Sequence, residues 1–144
     1  MKNFKEYLNE GKVLKKTPDP GEARSLFIQA KERFSDLRQL SLNEKNASFR
    51  FEAAYEALRE AVQSFLSNEG YKSYSHEAIF SYALDYGLLS EVNAVKADRY
   101  REIRNDINYR GKKVTEQEAK DMIHFVRDIL LTLEKRFQEK IKDK

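Results

Sequence analysis

Along much of this chain, apolar residues recur at steps of three and four, the spacing that lays a single stripe down one side of an α-helix. Over 20–41 the stripe is Ala23, Leu26, Phe27, Ala30, Phe34, Leu37 and Leu40. Over 44–68 it is Ala47, Phe51, Ala54, Tyr55, Leu58, Val62, Phe65 and Leu66. A shorter helix over 75–86 turns Ala78, Ile79, Tyr82 and Ala83 inward, and one over 90–108 offers Val92, Val95, Ile103 and Ile107. The cleanest stripe belongs to 116–141, with Ala119, Met122, Ile123, Val126, Ile129, Leu130, Leu133, Phe137 and Ile141. Residues 1–16 read as a short arm, helical in part, with Phe4, Tyr7 and Leu8 on one side.

The breaks between stripes carry helix start and stop chemistry. Asp19 before Pro20 starts the first long helix: Asp caps free N–H groups, Pro is preset for the opening turn, and Glu22 at the third position completes a capping-box pattern. Asn43, Ser75 and Ser90 are placed to cap the next three, and Thr115 with Glu118 forms a capping-box pattern before the last. Gly70 suits the left-handed position after a helix, Gly87 stops the fourth, and Arg110-Gly111-Lys112-Lys113 reads as a turn. Five glycines and two prolines leave few further turns, whereas an all-β domain needs turn signals roughly every 8–12 residues. The expected fold is all-α: an up-and-down antiparallel bundle of about five helices over 20–141, since short links make sequential helices neighbours. An arm over 1–19 precedes it, and the charged stretch 135–144 is expected to fray.

Composition removes several function classes. The 144 residues include no cysteine, so disulfides, thiolate metal sites and cysteine nucleophiles are excluded. MKNFKEYLNEGKVLKK is charged throughout and lacks the apolar core of a secretory signal. No apolar run approaches the roughly 18 residues of a membrane span. A cytoplasmic protein without membrane contact is expected. A di-iron site in a bundle needs Glu-x-x-His pairs. The only histidines are His76 and His124, and Asp121-x-x-His124 is the nearest approach, so neither metal nor cofactor is expected. His76, at a helix start, reads as a residue packing or bonding locally, and His124 as a surface residue. No Gly-rich phosphate loop is present.

Charge narrows the search. The net formal charge is +3, yet Lys96–Lys113 alone holds seven basic residues (Lys96, Arg99, Arg101, Arg104, Arg110, Lys112, Lys113) against Asp98, Glu102 and Asp106. Arg101, Arg104 and Asn108 are helical neighbours at steps of three and four. Guanidinium forks suit phosphate oxygens, and Tyr100 or Tyr109 could stack on bases. A solvated face laced by local pairs, such as Asp98 with Arg101 and Arg99 with Glu102, is the competing reading.

The segment 46–84, NASFRFEAAYEALREAVQSFLSNEGYKSYSHEAIFSYAL, resembles the helix pair of HEPN domains (higher eukaryotes and prokaryotes nucleotide-binding). Arg104-Asn105-Asp106-Ile107-Asn108-Tyr109 falls where that family carries Arg-Asn/Asp/His-x-x-x-His. The likeness covers roughly 20–137 and is to small stand-alone members. It implies a homodimer with two motifs facing one cleft, a nucleotide or RNA ligand, and possible work alongside a nucleotidyltransferase that modifies a tyrosine. Members with the intact motif are metal-independent endoribonucleases, some of them toxins of toxin–antitoxin pairs. Here Tyr109, or Asn108 in the adjacent register, stands in the histidine's place. Neither is a ready general base near neutral pH. The resemblance therefore implies a non-catalytic binding module built on Arg101, Arg104, Asn105, Asn108, Tyr109, Arg110 and Lys112. A ribonuclease toxin and a helical interaction protein without a nucleic-acid role are the alternatives.

Overall fold

The computed structural model describes residues 2–142, with the side chains of 141 and 142 left outside the description. The described residues form six α-helices: α1 (Phe4–Asn9), α2 (Pro20–Arg38), α3 (Ala47–Glu69), α4 (His76–Asp85), α5 (Glu91–Arg110) and α6 (Glu116–Phe137). A π-helical turn over Gln138–Lys142 extends α6. Two short strands, β1 (Val13–Lys15) and β2 (Tyr71–Ser73), pair antiparallel with Leu14 opposite Lys72.

The four long helices run up and down. Along α2 and α3, Asp19 N donates to Ser67 O at one end, and Arg33 Nε reaches Glu60 further along. Along α2 and α6, Phe27 stacks on Phe137 at 4.3 Å and Lys31 meets Glu134. α3 and α6 therefore share a direction: Val114 N donates to Ser48 Oγ near their starts, and Phe65 meets Phe137 near their ends. Tyr100 against Phe125 and Lys96 over the same ring set α5 beside α6.

α3 is the centre. Fifteen of its 23 residues are buried, far more than the single stripe of a helix with one face to water. Ala47, Ala54, Ala57, Ala61, Ser64 and Ser67 keep its girth small, so α2, α4, α5 and α6 all pack on it.

The helix starts follow the chemistry expected of them, with two exceptions, at Glu22 and Asn43. Asp19, Ser75, Ser90 and Thr115 each accept a hydrogen bond from a first-turn N–H, and Thr115 with Glu118 closes a capping box. Glu22 turns instead to Lys16 and Ser67. α3 starts at Ala47, after Asn46, and Asn43 serves the preceding turn by accepting from Lys45 N and Asn46 N.

The N-terminal arm contains a short helix with Phe4 and Tyr7 inward; with Val13 they are each at most 2% exposed and join the main core, because β1 pairs with β2 and draws the segment in. Two expectations need correcting. Val92 and Val95 face solvent at 68% and 63%, and α5 buries Ala94 and Ala97 instead. Leu40 lies past the end of α2 and is exposed. At the far end, Lys135–Phe137 remain helical, while the inward placement expected of Ile141 lies outside the described side chains.

Gly70 and Gly111 both adopt left-handed backbone, at φ 86° and 67°. A Cβ on Gly70 would lie 2.5 Å from Lys16 O, whereas one on Gly111 would meet open space. Gly111→Ala should therefore cost about 1 kcal/mol, the left-handed penalty alone. Gly70→Ala should cost clearly more and loosen the β1–β2 pairing, as urea unfolding of the two variants would show.

Candidate functional site

On α3, Glu52, Tyr55, Glu56, Arg59 and Gln63 follow one another at helical spacing and form a polar line on an otherwise buried helix. Two elements close over it. The first turn of α4 brings His76 and Glu77, held in place by the Ser75 cap. The middle of α5 brings Asp98, Arg101 and Arg104 at steps of three.

The arginines are engaged within the chain. Arg59 donates to Glu56 Oε2 from Nη2 at 2.7 Å and to Gln63 from Nη1 at 2.6 Å. Arg101 donates to Asp98 at 2.9 Å, with Glu77 Oε1 at 3.4 Å, and Tyr7 donates its hydroxyl to the other Glu77 oxygen. Arg104 is held more loosely. Glu56 and Glu52 lie 3.6 and 3.9 Å from it, its guanidinium sits 5.7 Å over the Tyr55 ring, and its Nε is buried with no hydrogen-bond partner among the described residues.

Tyr55 is fully buried, and its hydroxyl lies 3.0 Å from His76 Nδ1. Burial raises the phenol's pKa, so it keeps its proton. Were the imidazole the donor, that buried O–H would be stranded at the cost of its desolvation. Tyr55 therefore donates, Nδ1 accepts, and the ring proton sits on Nε2. Burial and then the nearby Arg59 charge push the His76 pKa down to about 4, leaving the ring neutral. For Glu56, burial pulls upward but Arg59 outweighs it, and the carboxyl is held below its ordinary range.

Of the residues singled out by sequence, the structure brings Arg101 and Arg104 into this cluster. Asn105 is half-buried beside them, and Asn108 lies one turn beyond Arg104, exposed. Tyr109 is 79% exposed, Lys112 is exposed, and Arg110 meets Asp106 at 3.8 Å, all at the far end of α5. The arginines do not reach freely outward as expected; they face α3 carboxylates. Sequence reasoning missed Tyr55 and the three charged residues of α3, although their regular polar spacing on an apolar helix was a signal. It read His76 as a residue packing or bonding locally; the ring packs against and hydrogen-bonds Tyr55, 21 residues away on α3. His124 is exposed on α6.

Among the described residues, no group of three or more His, Asp or Glu side chains is placed to hold a metal ion, and no helix is long and apolar enough to cross a membrane. No known family, curated protein or solved structure matches the chain.

The depressed His76 pKa has a stability consequence. The unfolded chain takes up this proton near the ordinary value of 6.5 and the folded one only near 4. Stability from this group is intact above 6.5 and is lost as pH falls through that window. Two-dimensional NMR of the imidazole should give a midpoint near 4, and His76→Gln should flatten the stability slope across the window.

Proposed function

We propose that this chain is a HEPN-like, non-catalytic module that binds a nucleotide or RNA segment, with Arg104 as its central contact. The observation that carries this reading is the buried Arg104 Nε, a donor that makes no hydrogen bond among the described residues because Glu52 Oε1 stops 3.9 Å away, held beside Arg101 and the half-buried His76. Buried donors are rarely left unpaired, and each such case calls for an explanation. A phosphate or base-edge oxygen entering between α3 and α5 would supply the missing acceptor. His76, whose Nε2 carries its proton, can only donate in this state; this favours holding a ligand over deprotonating a 2′-hydroxyl.

Charge limits the affinity. Arg59, Arg101 and Arg104 face Glu52, Glu56, Glu77 and Asp98, so the cluster itself does not attract anions. A ligand must exchange with the long Arg104 contacts, and Asn108, Tyr109, Arg110 and Lys112 beyond them would contribute the longer-range attraction and stacking. A homodimer and a nucleotidyltransferase partner belong to the same reading through the resemblance, with the exposed Tyr109 as the accessible tyrosine.

Single-stranded RNA binding measured across a salt series should show affinity falling steeply with salt, and Arg104→Ala should abolish it. The fold should survive, because Glu56 keeps its hydrogen bonds from Arg59. No binding at low salt would leave a protein-interaction role. Cleavage of RNA in EDTA by wild type but not by Arg104→Ala would replace the binding module with a ribonuclease.

A further inference from the structure

On α5, Arg101, Arg104 and Arg110 meet carboxylates; the structure assembles another basic surface from residues far apart in the chain. α2 and α6 both pack on α3, and a groove runs between them on the side away from α3. It has two chambers, of about 440 and 260 Å³, that share Lys31 and Glu134 as the bar between them. The floor is apolar: Phe34 and Leu130 under the first chamber, the stacked Phe27 and Phe137 under the second. Leu131 and Ile28 stand on the walls, 59% and 56% exposed. The charged rim is one-sided. Arg24, Lys31, Arg38 and Arg127 line the two chambers; Lys31 pairs with Glu134 at 2.5 Å and Arg127 with Asp128 at 3.1 Å, which leaves Arg24 and Arg38 as the rim cations without an ion pair among the described residues.

We infer that this groove is a docking site for an acidic amphipathic helix of a partner protein. From Arg24 to Arg38 the groove follows α2 for about 21 Å at the helical rise, room for a helix of about four turns. Apolar side chains at every third or fourth position of such a helix would lie over Phe34 and Leu130 between Leu131 and Ile28. Its flanking carboxylates would meet Arg38, Arg127 and Arg24, the arrangement of helix-in-groove recognition. A second copy docked face to face through a twofold axis would set the same net-positive rim, with its unpaired Arg24 and Arg38, against itself, which charge opposes. The exposed leucine and isoleucine give a nucleic-acid backbone nothing to bind, whereas an apolar helix face buries them.

The site shares no residue with the Arg104 cluster, so the two can fail separately. The probe is a synthetic helical peptide of about 14 residues with leucines on one face and glutamates beside them, followed by amide NMR shifts of the full chain. Shifts should centre on α2 and α6. Arg38→Glu with Arg127→Glu should weaken binding about tenfold or more, whereas Glu134→Gln, which frees Lys31, should tighten it. Arg104→Ala should leave it unchanged. Lack of binding, equal binding of the same peptide with lysines for glutamates, or indifference to the Arg38/Arg127 reversal would overturn the inference. So would sedimentation showing that Leu131→Lys dissociates a dimer, which would make a second copy the occupant. Displacement of the peptide by single-stranded RNA would assign the groove to nucleic acid instead.

Discussion

A helix with most of its surface buried can keep charged residues only if other elements bring partners to them, and α3 is such a helix. Glu60, with its side chain 5% exposed, is met by Arg33 of α2 at 2.5 Å. Arg50 is buried and reaches back to Leu40 O in the loop before its own helix. Tyr55 is met by His76 of α4, Glu56 by Arg104 of α5, and Ser67 by Glu22 of α2. Desolvating a charge without such partners costs several kcal/mol, far more than any single apolar contact returns. The partners of α3 thus fix where α2, α4 and α5 sit, while the small residues between them set how closely.

Both candidate surfaces follow from that arrangement. Where α4 and α5 close over the polar line of α3, there is more polar surface than can be matched in one geometry. Glu56 gives Oε2 to Arg59 and leaves Oε1 3.6 Å from Arg104, whose Nε stays without a hydrogen bond among the described residues. On the opposite side α2 and α6 each follow α3 and meet one another through Phe27, Phe137, Lys31 and Glu134, which leaves the groove between them. The first surface is a donor set within a nearly balanced ion-pair network; the second is an apolar trough with an unbalanced basic rim. They suit different ligands for that reason.

Much of the architecture was legible in the sequence because it is local. Periodicity gave every long helix, and Asp19, Ser75, Ser90, Thr115, Gly70 and Gly111 marked ends that hydrogen bonding then uses. What was not legible depends on pairing at a distance. Val13 and Ser73 are opposed across β1 and β2, and three-residue strands carry too little alternation to be seen alone. Val92 and Val95 have the right spacing for a core stripe but lie on the outer side of α5, where Ala94 and Ala97 allow the closer approach. For the site, counting charge along Lys96–Lys113 found Arg101 and Arg104 but not the carboxylates of α3 and α4 that face them. The same counting missed the α2/α6 rim, whose cations are spread from Arg24 to Arg127.

The claim on which this account rests is that charges on α3 are tolerated because they are paired. The most direct measurement is a double-mutant cycle on Arg33 and Glu60 by equilibrium urea unfolding. Arg33→Ala should cost at least about 2 kcal/mol, since it strands a buried carboxylate, and adding Glu60→Leu should restore much of that loss. If Arg33→Ala behaves as an ordinary surface change, within about 0.5 kcal/mol of wild type, and the two substitutions simply add, then α3 is not organised by its partners.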